Sequence, residues 1–415
     1  MNLLKTSLLN GVAVIIKIAT LLGINKVLAI YLGPSGYALI GQFQNAVQML
    51  TTFASGALNT GVTKYTAQHY DDEATQIRVW STAGTFSIGL TTLFSLLIFI
   101  FNQELASYFL KDESLSNVFS WFAIALVFFV INALLLAILN GKKEIPSYVL
   151  ANIIGSLASL VFTCLLTYYW GTVGALISLA TYQSISCLAT IIIISQKTWF
   201  KLRYLVQGVD WNHLQNLSKF TLMALTSALC VPLSHILVRG FIGDSLGMEA
   251  AGYWEALFRF SNAYLMLVTM TLGVYYLPRL SELKENIQIR KEVLSGYLFI
   301  LPMAIVASFV IFLIGDSLIT LLFSEEFTPV AQLLPWQLVG DVIKIASWLL
   351  GYVLTARAFF KAFMASEIIF SLLFVVLVKV FVSDYGLEGA AIAYAANYLL
   401  HFCFLFYYLK RKDIL

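Results

Sequence analysis

Long apolar runs and short polar breaks alternate along the whole chain. Windows of about 20 apolar residues, the length that spans a ~30 Å hydrocarbon layer, fall near 8–30, 38–60, 79–101, 117–139, 147–169, 174–195, 218–240, 251–277, 294–314, 333–355, 363–383 and 390–409. They predict an all-α polytopic membrane protein of 12 transmembrane helices with short connections. A β-barrel would show short, strictly alternating strands instead. Inside several windows the polar residues recur every three or four positions, which gathers them on one helix face. The stripes are Thr6, Asn10, Lys17 and Thr20 in the first window and Asn45, Gln48, Thr52, Ser55 and Asn59 in the second. They are Glu255, Arg259, Asn262 and Thr269 in the eighth, and Gln337, Asp341, Lys344, Ser347 and Thr355 in the tenth.

The two ends of this pattern resemble each other. At an offset of 215 residues Trp121 meets Trp336, Lys142 meets Arg357, Ser156 meets Ser371, Gly171 meets Gly386, and Gly174-Ala175 meets Gly389-Ala390. Two six-helix lobes follow, residues 1–210 and 211–415. An even number of helices per lobe gives both the same orientation, and parallel repeats of this kind commonly hold a binding site where they meet.

Composition agrees with the pattern: the 415 residues are 60% hydrophobic and 11% charged, against about 25% charged in soluble domains. The placement of charge says more than the net +3. Lys5, Lys64, Arg78, Lys142, Lys143, Lys197, Arg279, Lys284, Arg357 and Lys410 fall on one set of loops. Glu104, Asp112, Asp244, Asp316, Glu325 and Asp384 fall on the other, with Arg239 at its edge. Basic loops stay in the cytoplasm, so both termini are expected there. Cys164, Cys187, Cys230 and Cys403 lie in apolar runs without C-x-x-C spacing and read as small hydrophobes. No P-loop, H-E-x-x-H or G-x-S-x-G occurs. The expectation is therefore no catalytic residue, no metal, no cofactor and no nucleic-acid partner. A membrane polymerase or acyltransferase would want larger outer loops and more than four histidines.

Charges inside the spans carry the functional signal, because one at the bilayer centre costs about 2.5–3.5 kcal/mol on insertion scales and so faces a partner or a cavity. Asp341 and Lys344 are three apart on one face, and Glu255 and Arg259 four apart; each set can form an internal pair. Glu367 lies near the inner end of its span. Lys17 has no acid in its own helix, which points to a hydrated cavity that admits an anionic group such as phosphate. Lys26, near the outer end of the first span, can snorkel. Lys64, at the inner end of the second, serves either as a topology signal or as a first attraction for an anionic headgroup. Asn10, Asn45, Gln48, Asn59 and Asn262 add amides to the polar cleft. Tyr264 and Trp348 are candidate stacking rings, while His235 and His401 read as packed histidines. Glu255, Asp341 and Glu367 remain as tuning or ion-coupling groups. An organic-cation antiporter would want an acid-dominated cavity, whereas the cation left over here is positive.

Thr60-Gly-Val-Thr-Lys-Tyr, Ser218-Lys-Phe-Thr-Leu-Met-Ala and Trp336-Gln-Leu-Val-Gly-Asp-Val-Ile-Lys resemble the Wzx flippases of bacterial polysaccharide assembly, most nearly the branch serving enterobacterial common antigen. The resemblance runs through nearly the whole chain. It implies the multidrug/oligosaccharidyl-lipid/polysaccharide (MOP) exporter fold, MATE-like, with two six-helix lobes around a cleft. It implies an undecaprenyl-pyrophosphate-linked oligosaccharide, an O-antigen unit of lipopolysaccharide or the common-antigen lipid, moved from the cytoplasmic to the periplasmic leaflet. It also implies membrane lipid, a polysaccharide polymerase and a chain-length regulator as partners. Lys17, Arg259 and Lys344, joined by Lys26 and Lys64, would then meet the pyrophosphate. A multidrug or organic-cation antiporter of the same superfold is the alternative.

Overall fold

The computed structural model describes residues 3–283 and 285–415. The side chains of residues 3–10, 12–14, 216, 219, 220, 223, 274 and 278 lie outside that description, and with them Thr6 and Asn10 of the first stripe. The described residues form helices α1 (Leu3–Ser55), α2 (Asn59–Gln68), α3 (Glu73–Ile100), α4 (Asn102–Leu110), α5 (Ser116–Gly141), α6 (Ile145–Ser195) and α7 (Trp211–Leu246). They continue with α8 (Met248–Thr271), α9 (Leu277–Glu282), α10 (Asn286–Leu313), α11 (Gly315–Leu322), α12 (Leu334–Ala356), α13 (Phe360–Tyr385) and α14 (Glu388–Arg411). Among the described residues nine helices are long and apolar enough to cross a membrane. Two of them, in α1 and α6, are interrupted by a glycine with non-helical backbone, Gly33 and Gly171. The charged α8, 24 residues long, also reaches crossing length. Each window read from the sequence falls on one of these runs. Helix α10 turns Leu298, Phe299, Val306 and Leu313 outward, a face suited to lipid rather than water.

The repeat is visible in the backbone itself. Gly33 (φ 61°) and Gly247 (φ 97°) each turn one helix directly into the next, and Gly171 (φ 55°) and Gly386 (φ 59°) do the same 215 residues apart. Left-handed φ costs an L side chain roughly 1–2 kcal/mol, so glycine stands at these turns. So tight a turn brings the following helix onto the backbone of the preceding one. A Cβ on Gly174 would overlap the Leu166 carbonyl, and one on Gly389 would overlap that of Phe381, its counterpart. The opposite ends repeat as well. Lys143 and Ala358 are both left-handed. Glu144 N donates to Leu139 O (3.0 Å) and Phe359 N to Leu354 O (2.8 Å), while Lys142 N donates to Ile138 O and Arg357 N to Val353 O. These are Schellman ends of α5 and α12.

The described chain divides into two compact units, Met1–Leu32 with Leu39–Pro232, and Gly33–Ala38 with Leu233–Leu415. The second boundary falls inside α7, at Pro232, which lacks the N–H that a helix interior needs. In unit 1, α2, α3, α5 and the end of α6 enclose a core around Trp80, Val62, Leu135 and Ile138. Trp80 Nε1 donates to Thr66 Oγ1 (2.9 Å). In unit 2, α12 packs on α14 and α10, with Leu349, Val353 and Leu405 in the core.

Gly174→Ala should lower the thermal stability of the detergent-solubilised protein by about 1–3 kcal/mol, the usual cost of overpacking. Gly89→Ala in α3, where the added methyl meets nothing within 4 Å, should leave the midpoint unchanged or raise it, since alanine is the better helix former. Equal midpoints for both variants would refute the close-contact role of Gly174.

Candidate functional site

Unit 2 contains two buried charged clusters, both supported by α8. The first is built on Glu255, which is 3% exposed. Its Oε1 accepts from Arg259 Nε at 2.6 Å; its Oε2 accepts from Arg239 of α7. Both arginines are buried. The Arg259 guanidinium lies 4.8 Å from the centroid of the Tyr37 ring, and Tyr37 meets the stacked pair Phe323 and Phe327 edge-on. Thus the expected Glu255–Arg259 pair exists, but it is one side of a triad. Arg239 was read as a residue at a loop edge, and the structure corrects that. Arg239 and Glu255 lie eight residues before and eight after Gly247, so the tight turn sets them level on adjacent helices. One carboxylate then faces two guanidiniums, and the triad carries a formal excess of one positive charge.

The second cluster is built on Asp341, which is fully buried. Its Oδ2 accepts from Ser261 and Tyr264 of α8. Its Oδ1 accepts from Tyr394 of α14 at 2.7 Å and Gln337 Nε2 at 3.3 Å. Lys344 Nζ donates to Tyr394 Oη at 3.0 Å. It also lies 5.0–5.3 Å from the ring centroids of Trp348, Tyr398 and Tyr394, within cation–π range. No ion pair within 4 Å joins Asp341 to Lys344 among the described residues, so their expected direct pairing is corrected. The Tyr394 hydroxyl, which donates to one and accepts from the other, stands between them. Gly340 makes room for it: a Cβ there would come within 2.5 Å of Tyr394 Cδ1. Tyr264 and Trp348 are occupied in this network by Asp341 and Lys344. His401 shares a hydrogen bond with Ser347 (2.7 Å) and lies beside Phe370. His235 packs on Phe258. Glu367 on α13 is half-buried, as is Asn262 on α8.

The other sequence-derived residues lie in unit 1. Lys17 is exposed and lines a cavity of about 240 Å³. Lys26, Asn45 and Asn59 are half-buried, while Gln48 and Lys64 are exposed. Lys64 Nζ lies 5.4 Å from the ring centroid of Tyr65. Asn10 lies outside the described side chains. The structure therefore brings together Glu255 with Arg259, and Asp341 with Lys344 through Tyr394. Sequence reasoning missed Arg239 and Tyr394; the symmetric spacing about Gly247 and the glycine beside Asp341 were the available signals. All five fully buried charges among the described residues, Arg239, Glu255, Arg259, Asp341 and Lys344, lie in unit 2, and cations outnumber acids.

Glu255→Gln should destabilise the protein by about 3–5 kcal/mol, because it leaves two buried guanidiniums without their carboxylate. Adding Arg239→Met should restore part of the loss. Thermal unfolding of the single and double variants checks this, and a neutral Glu255→Gln would refute the triad.

A sequence profile of the family described as polysaccharide biosynthesis protein matches residues 15–332. The lipid III flippase of Escherichia coli (strain K12) is 31% identical over 415 residues, covering 99% of this chain and 100% of that one. An inward-facing multidrug resistance MATE family transporter of the MOP superfamily superposes with TM-score 0.77 at 16% identity, covering 96% of this chain and 94% of the other. The lipid II flippase MurJ, in an inward closed conformation, superposes with TM-score 0.72 at 14% identity, covering 99% and 89%. Both structures share the MOP transporter fold with this chain. Full-length relatedness on that fold, in a chain whose membrane-length helices carry the same repeat twice, settles the classification: this is a member of the polysaccharide biosynthesis protein family, related end to end to a lipid III flippase.

Proposed function

We propose that this chain translocates an undecaprenyl-pyrophosphate-linked oligosaccharide from the cytoplasmic to the periplasmic leaflet of a bacterial inner membrane, by alternating access, with both termini cytoplasmic. The observation that carries the reading is end-to-end identity of 31% with a lipid III flippase. The excess of buried cations supports it chemically. A pyrophosphate is a dense anion, and desolvated guanidinium and ammonium groups attract it far more strongly than exposed ones do. Arg259 and Lys344 are the cations proposed to meet it in unit 2, with Lys17, Lys26 and Lys64 contributing from unit 1. Asn10, Asn45, Gln48, Asn59 and Asn262 are proposed to hydrogen-bond glycan hydroxyls. The lipid tail stays in the bilayer and needs no polar path. Asp341, Glu255 and Glu367 tune these cations or couple the cycle to an ion. A polysaccharide polymerase and a chain-length regulator would consume the delivered unit. An organic-cation antiporter needs the opposite balance of buried charge.

Complementation of flippase-null strains tests the reading. The wild-type chain should restore a surface glycan; Lys344→Ala and Arg259→Glu, at matched membrane levels, should reduce it at least tenfold. Full restoration by both variants would remove the cation-site proposal. Failure of the wild-type chain in every such strain, together with a drug-sensitive deletion phenotype, would favour the antiporter.

A further inference from the structure

The cavity in unit 1 has a chemistry of its own. Its wall comes from α1, α5 and both halves of α6, and its lining has a single cation, Lys17, and no carboxylate. Asn132, Asn152, Ser156, Ser159 and Gln183 are among its other polar groups. These groups are held in place. Asn132 Nδ2 donates to Gln183 Oε1 at 2.7 Å, and Asn132 Oδ1 accepts from Thr190 Oγ1 at 2.7 Å. That engages the Gln183 carbonyl and leaves its amide hydrogens as its remaining donors. Asn152 Nδ2 donates to Tyr148 O at 2.8 Å, which leaves its carbonyl as an acceptor. Tyr182, held edge-on by Phe129, adds an aromatic face. Gly155 closes the wall tightly: a Cβ there would come within 2.7 Å of Ser186 Oγ.

The volume, about 240 Å³, is below the ~300–1,000 Å³ of pockets for drug-sized ligands. A space of that size suits one sugar ring. Mixed donors and acceptors with one aromatic face match ring hydroxyls. A lone ammonium in a membrane-length helix, with no ion-pair partner among the described residues, calls for an anion.

We propose that unit 1 holds a binding pocket for a single sugar ring bearing one anionic group, with Lys17 pairing the anion and the Asn152–Gln183 wall reading the ring. Its lining shares no residue with the charged clusters of unit 2, and the proposal rests on reading the chain as an oligosaccharide carrier. Two sources offer this chemistry: the sugar phosphate at the reducing end, next to the lipid, and a carboxylated sugar farther along the glycan.

The test uses the full-length protein in detergent, with its unfolding midpoint followed against glucose 1-phosphate, glucuronate, glucose and inorganic phosphate. Glucose 1-phosphate or glucuronate should raise the midpoint saturably, and whichever does so identifies the source. Glucose and phosphate should each bind at least tenfold more weakly. Lys17→Gln should weaken the effective ligand at least tenfold, and so should Ser156→Leu, which fills the cavity. No shift with either charged sugar, an equal shift with phosphate or with glucose, or an unchanged Lys17→Gln would overturn the pocket. Any of these with complementation by the wild-type chain intact refutes the pocket alone; failure of complementation refutes the carrier reading beneath it.

Discussion

A buried carboxylate shared by two guanidiniums sets the terms for unit 2. Moving ions out of water costs several kcal/mol each even after relaxation, and only close partners return it. Glu255 holds Arg239 and Arg259 together, and it does so because the Gly247 turn brings α7 and α8 level. Without that turn the two arginines would need separate acids. With it, one acid suffices and the cluster keeps a positive excess. Tyr37, set edge-on to Phe323 and Phe327, then holds the Arg259 guanidinium against a π face.

Asp341 shows the complementary solution. Its carboxylate is saturated by hydroxyls and an amide from Ser261, Tyr264, Gln337 and Tyr394, and so it has little capacity left for Lys344. The lysine receives a hydroxyl and three aromatic faces instead. Such an environment holds a cation while leaving it without a direct counter-ion. The positive excess of unit 2 therefore sits in the Glu255 triad, while Asp341 and Lys344 balance in formal charge without touching.

The helices were legible in the sequence because lipid imposes a length and a hydropathy that each window must meet on its own. The repeat was legible too: Gly171 and Gly386 are seen as equivalent residues before their shared left-handed φ is known. The contacts were less so. Helical periodicity puts Glu255 and Arg259 on one face, but it does not say what the neighbouring helix brings to that face. Arg239 was hidden by its position near a loop, although a one-glycine turn makes positions equidistant from it neighbours. Tyr394 was hidden because a tyrosine in an apolar helix carries no charge to mark it, and because spacing alone suggests that Asp341 and Lys344 touch. Lys17 stands out in the sequence as a cation with no acid in its own helix, but nothing in that helix reveals the amides of α5 and α6 beside it.

The proposed translocation depends on buried positive charge meeting an anionic lipid headgroup. The most direct measurement is translocation in proteoliposomes of one glycan on two carriers, a polyprenyl pyrophosphate and an uncharged polyprenyl lipid of equal length. Loss of the headgroup contact should slow the uncharged carrier by at least about tenfold, the equivalent of ~1.4 kcal/mol. Equal rates for the two carriers would contradict it.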